Sequence, residues 1–332
     1  MSENKEAKKA KKAEKKAAKA NGKKGEKAFK VIVAIILVIA VVAELGIGIT
    51  MNKRVSELTA AVNATATEEE ASNKIDVQFS EGTYGGIEFK TEEDVVNYYN
   101  EAYNKTKAKT AQYKDADGNT QTFYAMVGTE SLTLKEGSLL VNGAANSMIN
   151  NLAPGIIEKV FSANVNGLPP CANRDPNNDI DDEGASLMTS RVVPEDVAGC
   201  SVTDNGDGTI TLLIVPALTE MSSKGKDAQG HFFNSLGALD SVIDSIGVVS
   251  WASGSTAENC KAIYDGGKVT VKIDTASGEI VEADYNMVVN VSLDHATVTV
   301  LKDKSASLTI LYDQHFPADD QYLMDKRQLT RL

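Results

Sequence analysis

The sequence predicts an α+β fold: a long, curved antiparallel β-meander packed on about three amphipathic helices and preceded by a single transmembrane helix. Three observations predict it. Residues 31–51 are apolar almost throughout, "VEADYNMVVNVSLD" at 281–294 keeps a period of two, and three other stretches carry apolar residues at helical spacing.

Residues 1–30 hold 12 Lys against 4 Glu, a net of +8, so in a chain of net charge −12 the remainder carries −20. This Lys/Ala segment has no apolar stripe to bury and cannot offset the entropy of folding, so it reads as a disordered tail. As a helix, "VIVAIILVIAVVAELGIGITM" at 31–51 would span about 31 Å, matching a hydrocarbon core of about 30 Å. The Lys excess before it predicts a cytoplasmic N-terminus and an extracellular C-terminal domain, single-pass in the cell membrane. A signal peptide cut after "VVA" at 41–43 is the competing reading. The apolar run resumes beyond Glu44 and the basic segment before it is long, which favours an uncleaved signal-anchor. Glu44 itself lies near the outer end and reads as an acid tolerated at the interface rather than a functional one. Lys residues beside a span attract anionic lipid at about 1 kcal/mol each. A nucleic-acid arm would add aromatic residues for stacking, and this tail has only Phe29, so nucleic acid is not the expected partner.

Residues 52–83 read as a juxtamembrane stalk, 84–316 as the extracellular α+β domain and 317–332 as a C-terminal extension. In "KTEEDVVNYYNEAYNKTKA", Thr91 and Asp94 form a capping-box variant. Val95, Tyr99, Ala102 and Thr106 share a face, predicting a helix over about 92–107. "DADGN" at 115–119 then turns a hairpin. Ile149, Leu152, Ile156 and Val160 make a second stripe across Pro154, which should split it into two short helices. The third, in "GHFFNSLGALDSVIDSIG", runs through Phe232, Leu236, Leu239, Ile243 and Ile246. Around 281–294 lie "KVTVKID", "ATVTVL" and "SASLTILYD", separated by "DGG", "TASG", "DH" and "KDK", which read as turns of a meander with one dry and one wet face. Val281, Ala283, Tyr285, Met287, Val289, Val291 and Leu293 form the dry row. "DNGDG" at 204–208 is turn chemistry.

No catalytic, cofactor or metal residues are expected. His231, His295 and His315 show no metal-ligand spacing, with His295 assigned to a tight turn. "SKGK" at 223–226 matches S-x-x-K without its companion motifs. "RDPNNDIDDEG" at 174–184 alternates oxygen ligands but lacks the Gly and Glu of a calcium loop, which favours a solvated acidic loop. Cys171, Cys200 and Cys260 allow three pairings or none. A Cys171–Cys200 bridge would close a loop of about thirty residues, worth roughly 3–4 kcal/mol in the chain-entropy model.

The Lys-rich tail and span, "FKTEEDVVNYYNEAYNKTKA", and "CKAIY" followed by "VKIDTASGEIVEADYNMVVNV" resemble the N-terminally membrane-anchored ectodomain proteins of Gram-positive gut bacteria. That resemblance implies no activity. More remotely, the architecture is similar in shape to half-barrel lipoprotein carriers and tubular lipid-binding domains, which hold acyl chains between sheet and helices. Two functions are therefore expected ahead of an envelope-acting enzyme. One is a membrane-anchored binding domain with a hydrophobic groove of Phe232, Leu236, Leu239, Met287, Val289 and Val291, holding a lipid or another hydrophobic ligand. The other is a structural or interaction protein of the cell envelope with no small ligand.

Overall fold

The computed structural model describes residues 77–145, 189–220, 228–232, 249–298 and 301–332. Over these the protein is mainly β-sheet with few helices. The span at 31–51, the Pro154 region from residue 146, the acidic loop at 174–184, "SKGK" and the third helical stretch beyond Phe232 lie outside the described residues. Among the described residues, no helix is long and apolar enough to cross a membrane.

Three long strands make the centre of a ten-stranded sheet: β12 (Cys260–Asp274), β13 (Glu279–Val298) and β14 (Leu301–Phe316). They pair antiparallel in sequence order, as a meander. β8 (Val197–Asp204) and β9 (Thr209–Pro216) form a hairpin turned by "DNGDG", and β9 extends the sheet from β12. On the other side, β5 (Thr129–Leu134) and β6 (Leu140–Val141) both pair with β14, and the short strands β7 (Ala144–Ala145), β10 (Thr219–Glu220) and β11 (Val249–Trp251) pair with β6, β12 and β13 respectively. Successive side chains alternate across the strands. One face therefore carries Ala283, Tyr285, Met287, Val289, Val291 and Leu293 of β13, all buried, between Val269 and Val271 of β12 and Leu308, Ile310 and Tyr312 of β14.

Of the four expected turns in this region, "TASG" is one and the other three lie within continuous strands. Gly266 and Gly267 of "DGG" have φ of +79° and +90° at a register shift inside β12. His295 of "DH" and Asp303 of "KDK" have φ of +51° and +53°, where β13 and β14 each take up an extra residue. A β-bulge needs the same turn-forming residues as a loop, because its inserted residue leaves the extended region. The strands are consequently longer than the separators suggested. A further register shift between Lys272 and Ile273 removes Val281 from the dry row: Ile280 takes the inward place and Val281 is 44% exposed.

The first helix, α1 (Glu92–Lys107), closes part of the dry face. Thr91 Oγ1 accepts from the Asp94 amide, and Asp94 Oδ2 accepts from the Thr91 amide at 2.9 Å, so the expected capping box is formed. Backbone donors from Lys90 and Thr91 hold the exposed Asp94 carboxyl below its ordinary range. Val95, Val96, Tyr99, Ala102, Tyr103 and Thr106 are buried against the sheet. At the helix end, Lys105 Nζ donates to the Ser277 carbonyl at 2.5 Å, and Lys109 pairs with Glu279 at 2.6 Å, tying α1 to the β12–β13 turn.

The fold also extends on either side of the expected domain limits. β1 (Gly82–Tyr84) and β2 (Ile87–Phe89) form a hairpin before α1, with Phe79 packed on the main core. At the other end, β15 (Thr330–Arg331) adds to the hairpin of β3 (Thr110–Lys114) and β4 (Thr120–Tyr124). Leu323 and Leu329 build a second small core there with Tyr113, Val127 and Ala318. Residues 317–332 thus cover apolar surface that β3 would otherwise expose.

Candidate functional site

Four of the six expected groove residues meet in one core. Phe232 ends α2 (Ala228–Phe232) and lies against Tyr99 of α1, with ring centroids 5.7 Å apart. The hydroxyls of Tyr99 and Tyr285 are 2.9 Å apart, linking α1 to β13. Phe232, Met287, Val289 and Val291 are 0%, 1%, 1% and 5% exposed. Leu236 and Leu239 lie outside the described residues. The segment before β8 is held by Asn100 of α1, whose side chain donates to the Val192 carbonyl at 2.7 Å and accepts from Ser190 Oγ at 2.6 Å.

The opposite face of the meander is part-exposed and mainly polar, with Val288 and Leu311 among its residues. Asp284 of β13 stands across from His315 of β14, with Oδ1 and Nδ1 2.8 Å apart. Two residues along each strand, Asn286 Nδ2 donates to Asp313 Oδ1 at 2.6 Å. Thr270 and Lys268 on β12, and Thr129 and Ser131 on β5, continue these two rows to either side. The result is a patch of hydroxyls, amides and charges of both signs, suited to polar contact.

All three histidines have an Asp at Nδ1, which the sequence reading missed. His295 reaches Asp303 at 2.6 Å across the paired bulges, and His231 reaches Asp196 at 2.5 Å. The Asp196 pair differs from the other two in being largely buried, with Asp196 Oδ2 also accepting from the Val193 amide at 2.9 Å. Its partners are 35 residues apart, and only strand register or the packing of α2 brings such pairs together.

Cys200 and Cys260 are buried thiols and no disulfide joins them; Cys171 lies outside the described residues. Burial, with a smaller push from Glu92, raises the Cys200 thiol from 9.0 to about 12. At pH 8 this leaves about a thousandfold less thiolate than an ordinary thiol has, and the thiolate is the nucleophile. Alkylation at Cys200, read by peptide mass spectrometry, should be negligible in the native protein and fast in denaturant. Rapid native labelling would mean that the β8 side of the core opens. Burial also raises the phenols of Tyr99 and Tyr285. These groups keep protons in the folded state that the unfolded chain releases. Their contribution is therefore complete below the ordinary values of 9.0 and 10.0 and is lost as pH rises above them. Denaturant midpoints should fall from pH 8 to pH 10.5.

Among the described residues, no group of three or more His, Cys, Asp or Glu side chains is arranged to hold a metal ion. Comparison of the chain with protein-family models, with curated proteins and with solved structures finds no match.

Proposed function

We propose that the chain is a membrane-anchored extracytoplasmic domain that acts by surface contact with another component of the cell envelope. In this reading the Lys-rich tail stays in the cytoplasm against anionic lipid, and the span at 31–51 remains uncleaved. The observation that carries the contact reading is the burial of the described groove residues in one packed cluster. An acyl chain needs walls that leave room for it, and pockets for such ligands are typically several hundred Å³. Phe232, Met287 and Val289 are instead 0–1% exposed and pack in one cluster with Tyr99 and Tyr285. The polar rows through Asp284–His315 and Asn286–Asp313 supply the complementary half of the argument, a part-exposed face lined with polar and charged groups.

Protease applied to intact cells tests this. It should release the C-terminal domain while the Lys tail stays with the cell, and native mass spectrometry of the released domain should give the mass of the polypeptide alone. A co-purifying acyl lipid on that domain would reinstate the groove as a binding site. A mature chain beginning at Glu44 in the medium would show that the apolar run is a cleaved signal.

A further inference from the structure

The described chain begins beside one corner of the sheet. The carbonyl oxygen of Val77 lies 2.7 Å from where a Cβ on Gly199 would stand, so the incoming backbone runs against β8 where only glycine leaves space. At this end of β8, Val197 pairs with Pro216, and the 3₁₀ turn Pro194–Asp196 precedes it. Asp196 ties the corner together. Its carboxylate accepts from the Val193 amide at 2.9 Å, and its carbonyl accepts from the Ala217 amide at 2.7 Å. Val193 and the residue after Ala217, Leu218, are thereby brought to the same corner, and they are 42% and 64% exposed. The Asp196 carboxylate is buried against His231, so this charge is drawn inward while the two apolar side chains face out.

We propose that Val193 and Leu218 rest on the lipid surface of the membrane in which the chain is anchored, seating the domain on the corner beside its stalk. The inference rests on the anchored reading above. Only 25 residues, 52–76, separate the apolar run from Val77. A flexible chain of that length would have a root-mean-square reach of about 28 Å, less than the diameter of about 47 Å that corresponds to the radius of gyration expected for a domain of this size. Any tethered corner therefore meets the bilayer at high effective concentration, and a contact too weak to hold a free domain suffices. Exposed Glu195 and Glu220 flank the two apolar residues, so the surface that fits is one of low charge rather than an anionic one.

The test uses the full chain reconstituted in phosphatidylcholine vesicles, with a benzophenone amino acid at Leu218 or, as the comparison site, at the exposed Asn290 of the outer sheet face. Lipid adducts should be several-fold more abundant from position 218, and should fall when phosphatidylglycerol is added to the vesicles. With the probe at Val193 instead, Leu218→Glu should reduce the yield without altering the thermal transition. Equal adducts at 218 and 290, or crosslinks from 218 chiefly to a second copy of the chain, would overturn the inference while leaving the anchor intact. Extraction of the chain by alkaline carbonate would remove the anchored reading and this inference with it.

Discussion

Val289→Asp should unfold a large share of the protein, with a loss of about 4 kcal/mol or more, whereas Asn290→Asp should change stability by no more than about 0.5 kcal/mol. The two positions are neighbours on β13 and differ in the face they serve. Val289 is 1% exposed, opposite Tyr264 on β12 and Ile310 on β14. An aspartate there would be surrounded by apolar side chains, and either its charge or its protonated form would lack the hydrogen bonds that water provides. Asn290 is exposed, and its side-chain oxygen accepts from Thr309 Oγ1 at 2.8 Å, a role a carboxylate oxygen can take over. Denaturant unfolding of the two variants reads the difference directly. Equal losses would show that the sheet is covered on both faces and that its outer rows are not available for contact.

That contrast between adjacent residues was legible from the alternation in "VEADYNMVVNVSLD", as was α1 from Thr91, Asp94 and the stripe through Tyr99 and Thr106. Period and capping are local properties, carried by residues a few positions apart. What they could not convey was register. "DGG", "DH" and "KDK" look like turns because a bulge and a turn call on the same positive-φ residues, and local sequence does not distinguish a strand that reverses from one that continues past a kink. Val281 was misassigned for the same reason, since one inserted residue inverts the parity of everything beyond it. The His–Asp pairs were hidden more deeply: Asp284 and His315 are 31 residues apart and meet only through the β13–β14 pairing. The candidate groove was half legible. Its apolar row on β13 could be read from alternation, but whether Phe232 closes over it or leaves a cavity depends on side-chain volumes meeting across elements.

The bulge at "DGG" gives the second large effect. Gly267→Ala should cost about 3 kcal/mol or more, while Gly266→Ala should cost only about 1–2 kcal/mol. Both glycines have positive φ, +90° and +79°, so each substitution meets some backbone strain. The surroundings separate them. A Cβ on Gly267 would stand 2.4 Å from the Asn286 carbonyl oxygen, 3.2 Å from its carbon and 3.3 Å from Met287 Cα, all backbone of the neighbouring strand. No rotamer change relieves that overlap. Either β12 moves away from β13 at the point where their pairing resumes after the register shift, or the bulge migrates and turns following residues to the wrong face. A Cβ on Gly266 would find nothing nearer than Val288 at 3.8 Å, an ordinary contact. The same comparison bears on function, because Lys268 and Asn286 form one polar row of the outer face immediately beyond the bulge. If Gly267→Ala shifts the register instead of unfolding the domain, the amide-exchange pattern of Lys268–Asp274 should change while that of the β8–β9 hairpin persists. If both glycine variants melt together, the close approach of the two strands is not what holds the bulge in place.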